Sequence, residues 1–120
     1  MFYDISLTVS LTPQKGKSSI ITQTNYNEMY YSSAQQIAHH SSSGCPMRVG
    51  DLIGSGTISG SQKSERGSML ELSWGGKEPL NLTNGGTRSF LEDLDTVTFQ
   101  GKGTKEDFTI GFGDCTGTLL

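Results

Sequence analysis

The sequence predicts an α+β domain, mostly β: a mixed, chiefly antiparallel β-roll with one packed helix over about residues 26–40. Three observations carry that expectation. Apolar and polar residues alternate in several short runs, beginning with "DISLTVSL". Sixteen glycines punctuate 120 residues whose hydrophobic share is only 32%, a composition that suits short strands and tight turns better than a helical bundle. A helical period shows in one segment alone. The length suits a single domain, residues 1–120, with a thin core.

The first strand is the clearest element. Ile5, Leu7, Val9 and Leu11 alternate with Ser6, Thr8 and Ser10, so an extended chain puts the apolar set on one face and the hydroxyls on the other. "TPQKGK" (12–17) is a turn whose lysines, Lys15 and Lys17, keep the tip in water, and "SSIITQT" is the returning strand. A helix is expected next, capped by Asn25 with Glu28 completing a capping-box-like pair. Tyr26, Met29, Tyr30, Ser33 and Ile37 fall on one face of it, and "SSSG" ends it.

Beyond Gly44, glycine and proline break up "CPMRVGDLIGSGTISG". "SMLELSW" then reads as a strand, with Leu70, Leu72 and Trp74 on a core face and Met69, Glu71 and Ser73 on the other. "GGKEP" is a turn, "LNLT" a strand, "NGG" a turn signal and "RSFL" a strand. "DTVTFQGKG" and "FTIGFGDCTGTLL" close the chain as two further strands.

The totals exclude several classes. A formal charge of −3 with scattered cations offers no phosphate-neutralising stripe, so no nucleic-acid partner is expected. Apolar runs fall short of the ~20 residues a membrane helix needs. The opening "MFYDISLTVSLT" has no positive n-region and is read as a strand, not a leader. Cys45 and Cys115 stand apart, without CxxC or Cys/His spacing, and reduced thiols in a cytoplasmic protein are expected. The "NLT" sequon at Asn81 has no use there.

Few residues suggest chemistry by themselves. His39 and His40 are adjacent, hence about 100° apart on a helix, and a helix C-terminus favours their partial positive charge; that reading outweighs a catalytic one. "GSGTISG" lacks the lysine of a phosphate loop, yet its glycines let backbone approach a ligand, with the Thr57 hydroxyl beside it. The acids Glu92, Asp93 and Asp95 read as a polar turn. Glu71, between two leucines, reads first as a solvated strand carboxylate.

Taken together, "AQQIAHH", "GDLIGSGTISG", "GSMLELSWGGKEPLNL", "TRSFLEDLDTV" and "IGFGDCTG" resemble the C-terminal portion of the fumarylacetoacetase family, in long ungapped blocks from "YDISLTVSL" to "GTLL". The resemblance implies hydrolysis of the carbon–carbon bond of 4-fumarylacetoacetate to fumarate and acetoacetate, in tyrosine and phenylalanine catabolism. It implies a homodimer dependent on Ca2+ and Mg2+, with an SH3-like N-terminal domain. Glu71 takes the position of the carboxylate that hydrogen-bonds the family's catalytic histidine, and Thr57 that of a substrate contact. The histidine, the metal carboxylates and other substrate-binding residues belong upstream, so no metal ligand is expected here. The chain is then about the final third of such an enzyme, inactive and marginally stable alone. "SQKSERGS" departs from the family's usual loop. The alternative is a non-catalytic β-domain serving association or ligand binding. An open reading frame continuing upstream of Met1 would favour the hydrolase.

Overall fold

A computed structural model describes residues 3–83 and 86–120. Its main sheet has four strands: β1 (Ile5–Thr12), β2 (Ser19–Asn25), β5 (Thr96–Lys105) and β6 (Phe108–Thr118). They lie in the order β2-β1-β5-β6, and every pairing is antiparallel. Between β2 and β5 come helix α1 (Ser33–Ser42), the short helical turn α2 (Met69–Leu72), and a small ladder of β3 (Leu80–Asn81) with β4 (Thr87–Arg88). Mostly β with one main helix is the expected class. Met1, Phe2 and residues 84–85 of the "NGG" signal lie outside the described residues.

The alternation in β1 decides the two faces of the sheet. Val9 pairs with Phe99 and Leu11 with Val97, so these residues share a face with Ile5 and Leu7. On the other face, threonine hydroxyls bond across the last hairpin: Thr96 to Thr118 at 2.8 Å and Thr98 to Thr116 at 3.0 Å. A bulge interrupts this hairpin, where Gln100 pairs with Asp114 but Lys102 with Gly111. Gly113, at φ +74°, supplies the left-handed residue the bulge needs. Full burial is confined to one end of the apolar face. Leu11, Leu72, Leu82 and Val97 make the core there, while Phe99, Ile110 and Phe112 stay exposed.

Two elements differ in kind from expectation, for local reasons, and of the expected strand "RSFL" only Arg88 is extended, in β4. Asn25 does cap, accepting from the Asn27 N–H at 3.0 Å, but what it caps is a single 3-10 turn over Tyr26–Glu28. Met29 is already extended (ψ 136°), which ends the helical path. The helix begins seven residues later than Tyr26, where Ser32 and Gln35 make a full reciprocal box: Gln35 N–H to Ser32 Oγ at 3.3 Å and Ser32 N–H to Gln35 Oε1 at 2.8 Å. The face drawn through Tyr26, Met29 and Ile37 therefore does not exist, and none of the residues of α1 is buried. The packed helix over 26–40 is corrected to an exposed helix over 33–42.

"SMLELSW" is likewise not a strand. Ser68 caps α2 by accepting from the Glu71 N–H at 3.3 Å, and Leu72 N–H bonds the Ser68 carbonyl at 2.9 Å. Trp74, Gly75 and Gly76 all have positive φ and terminate the turn. A helical turn redistributes the side chains: Leu72 and Ser73 are buried, whereas Leu70 and Trp74 are 61% and 58% exposed. A seven-residue segment has too few periods for its apolar pattern to distinguish strand from helix.

The acidic run does form a turn. Asp95 N–H bonds the Glu92 carbonyl at 3.0 Å, with Leu94 at φ +68° between them. What composition did not show is that Asp95 is fully buried, with Arg88 donating to both its oxygens at 2.8 and 3.0 Å. That pair ties β4 to the start of β5. The Arg88 hydrogen bonds, above all, hold the Asp95 carboxyl below its ordinary range, against the opposing effect of burial.

Candidate active site

Turning α2 into a helix changes what Glu71 can reach. In the third position after the Ser68 cap, its side chain folds back over the turn instead of standing out from a sheet. Its Oε2 accepts the Ser68 hydroxyl at 3.0 Å and the Ser59 hydroxyl at 2.9 Å. Among the described residues nothing donates to Oε1. One oxygen is fixed and the other is open. From the opposite side of the turn, Arg66 Nη1 donates to the Glu71 carbonyl at 3.0 Å, and its guanidinium lies over the Trp74 ring at 5.3 Å.

The loop before α2 is closed on itself and pinned to the sheet. Gly60 N–H bonds the Glu65 carbonyl at 3.1 Å, and Gly67 N–H bonds Ser59 Oγ at 3.0 Å. The Thr22 hydroxyl, on β2, lies 3.0 Å from the Ser64 carbonyl and 2.7 Å from that of Arg66. Gly67 allows the closure. A Cβ there would sit 2.2 Å from the Ile58 carbonyl oxygen and 2.8 Å from Thr57 Cγ2, so only glycine admits the 57–59 backbone this close. The "SQKSERGS" segment thus has its own internal bonds, such as Gln62 N–H to Glu65 Oε2 at 2.9 Å, and is tied outward by an exposed Lys63–Glu78 ion pair.

Thr57 and Glu71 line one cleft of ≈ 490 Å³. Ser59 lies in the same wall, and His39, His40 and Tyr31 contribute to its lining. Both histidines stand in the last turn of α1, as the dipole reading requires, and both are exposed. Thr57 and Ser55 also line a second, more apolar cavity of ≈ 520 Å³ with Leu7, Val9, Phe99 and Phe112. The glycine-rich segment is therefore the partition between a polar cleft and an apolar one.

Glu71 and Thr57 are thus brought together, although the strand geometry that first placed Glu71 is wrong. Ser59, Ser68 and the two histidines were not placed at the site by sequence reasoning. The spacing Ser68-Met69-Leu70-Glu71 carries the signature of a capped turn and could have revealed Ser68; nothing in the local pattern marks Ser59. Among the described residues, no three of His, Cys, Asp and Glu are grouped so as to hold a metal ion.

Comparison with known proteins covers nearly the whole chain. The family model described as the fumarylacetoacetate (FAA) hydrolase C-terminal domain matches residues 3–119. The chain is 48% identical over 119 residues to a fumarylacetoacetase of Arabidopsis thaliana, covering 98% of this chain and 28% of that protein. Identity to a fumarylacetoacetase of Aspergillus fumigatus is 49% over 118 residues (98% and 27%), and to that of Homo sapiens 45% over 119 residues (98% and 28%). The chain spans little more than a quarter of the length of these relatives, and it matches nearly end to end within that quarter. It belongs to the fumarylacetoacetate hydrolase family, in the C-terminal domain.

Proposed function

We propose that this chain is the C-terminal part of a fumarylacetoacetase, which adds water across a carbon–carbon bond of 4-fumarylacetoacetate to give fumarate and acetoacetate, a step of tyrosine and phenylalanine breakdown. The observation that carries the reading is the shared cleft of Glu71 and Thr57, the two positions to which the family resemblance assigns chemistry. Matches to proteins named fumarylacetoacetase over 98% of the chain support it.

In this reading Glu71 is an orienting carboxylate. With Oε2 held by two hydroxyls, Oε1 is the acceptor for an imidazole N–H, and the imidazole, supplied from outside this chain, takes the proton of the attacking water. A carboxylate that fixes the tautomer and orientation of a histidine base does so without accepting the proton itself. Thr57, exposed and glycine-flanked, offers a hydroxyl to the substrate. The family's divalent cations, Ca2+ and Mg2+, would be held by residues beyond this chain. A cytoplasmic homodimer completes the proposal. No helix among the described residues is long and apolar enough to cross a membrane.

The second reading, a non-catalytic β-domain serving association, draws on the exposed apolar sheet face at Phe99, Ile110 and Phe112. The two separate in a full-length chimaera in which residues 3–119 replace the matching C-terminal portion of the Arabidopsis relative. The hydrolase reading predicts cleavage of fumarylacetoacetate when Ca2+ or Mg2+ is supplied. A folded chimaera that leaves the substrate intact would favour association.

A further inference from the structure

We propose that Ser59 is a positioning residue for Glu71: its hydroxyl couples the glycine-rich segment to the carboxylate and fixes which carboxylate oxygen is left open. This rests on the hydrolase reading of the cleft for its activity readout, and on the geometry alone for its structural one.

Ser59 Oγ uses both of its capacities at once. It accepts the Gly67 N–H at 3.0 Å and donates to Glu71 Oε2 at 2.9 Å. A hydroxyl has one proton, so the accepted N–H orients the lone pairs and leaves that proton for the carboxylate. The acceptor role requires the 57–59 backbone to lie against Gly67, where a Cβ would meet the Ile58 carbonyl oxygen at 2.2 Å. Ser59 is therefore not free to swing away, and neither is the proton it gives.

Ser68 alone would not fix the carboxylate in this way. Its hydroxyl donates to Oε2 at 3.0 Å while accepting from the Glu71 N–H at 3.3 Å, so it ties Glu71 only to its own helical turn. Ser59 comes from twelve residues upstream, on the segment that carries Thr57. Two donors from different segments converge on one oxygen, which stops the carboxylate rotating about its terminal bond, a torsion that is otherwise broad. The same bond sets the spacing between Thr57 and Glu71. A substrate contact and an orienting carboxylate are thereby held in one register, the kind of pre-organisation that a small misplacement would undo.

The test is a double-mutant cycle in the full-length chimaera. Ser59→Ala should lower kcat about tenfold with KM changed less than about threefold, because orientation and not substrate binding is lost. Ser59→Thr should restore most of the rate, whereas Ser59→Val, of the same shape as threonine without the hydroxyl, should not. In the Glu71→Gln background the Ser59→Ala loss should shrink to less than about twofold, since the group it acts through is already altered. Equal losses in both backgrounds, or no loss in either, would overturn the proposal.

A chimaera that does not cleave substrate at all would count against the hydrolase reading instead, and the positioning claim is then decided by crystallography. The Ser59→Ala structure should show the Glu71 side chain moved off its bond to Ser68 or split between rotamers. An unmoved Glu71 carboxylate would refute it.

Discussion

Two carboxylates in this molecule sit in opposite circumstances. Asp95 is fully buried and meets a guanidinium on both oxygens, with the Glu92 N–H adding a third donor to Oδ2 at 3.0 Å. Glu71 is half-buried and held on one oxygen only, by neutral hydroxyls. The first arrangement consumes the negative charge within the fold. The second fixes the direction of a charge and leaves an acceptor open toward a cleft. A structural acid and an acid available for chemistry are distinguished by what occupies the second oxygen, not by burial alone.

Breaking the structural side should give the largest change. Asp95→Ala leaves the mostly buried Arg88 guanidinium only its ion pair with the more exposed Glu92, at 3.2 Å, and its bond to the Thr87 carbonyl, and is expected to cost about 3 kcal/mol in denaturant unfolding. The pH dependence follows from the same bonds. The folded Asp95 carboxyl titrates below its ordinary range because Arg88 hydrogen-bonds it, so the unfolded chain takes up that proton first as pH falls. The contribution is fully present above the ordinary aspartate pKa of about 3.9 and is lost as pH drops through the lower folded value. Acid unfolding of the Asp95→Ala variant should therefore be flatter in that window than that of the unsubstituted protein.

Gly67→Ala sharpens the comparison from the other side. The new methyl cannot coexist with the Ile58 carbonyl 2.2 Å away, so the 57–59 segment must retreat, at a cost of about 1–3 kcal/mol. Turnover should fall with it, because Ser59 would lose its reach to Glu71. Unchanged kinetics in a destabilised protein would separate loop closure from the site.

How much of this was legible in the sequence depends on how many residues enforce each feature. Strand β1 was readable because period-two alternation runs through its length, and β2, β5 and β6 because runs of seven or more strand-forming residues are bounded by turn residues. The helix was misplaced because two caps compete within eight residues, and the reciprocal Ser32–Gln35 box defeats the one-sided cap at Asn25. The strand read through "SMLELSW" failed because Ser68 and the positive φ angles after Ser73 override a short apolar alternation. Glu71 and Thr57 came from family resemblance, and Ser59 from the folded arrangement alone. A hydroxyl bridging residues eight and twelve positions away leaves no local pattern to read.

Smaller effects are expected at the rim. Thr57→Val removes one neutral hydroxyl from the cleft and should raise KM about threefold to tenfold with kcat nearly unchanged, the scale of a single uncharged hydrogen bond. Smaller again is Lys63→Ala. Lys63 lowers the pKa of Glu78 through its hydrogen bond, but both side chains are more than half exposed, so unfolding and turnover should stay where they are.

The contrast between the two acids is tested most directly by placing Glu71→Gln and Asp95→Asn separately in the full-length chimaera, and measuring kcat and the unfolding midpoint for each. Glu71→Gln should lower kcat about a hundredfold or more while leaving the midpoint nearly unchanged. Asp95→Asn should lower the midpoint clearly, with kcat of the protein that remains folded falling far less. Full turnover in the Glu71→Gln protein, or a loss of stability matching that of Asp95→Asn, would contradict the account and return Glu71 to the fold as one more structural carboxylate.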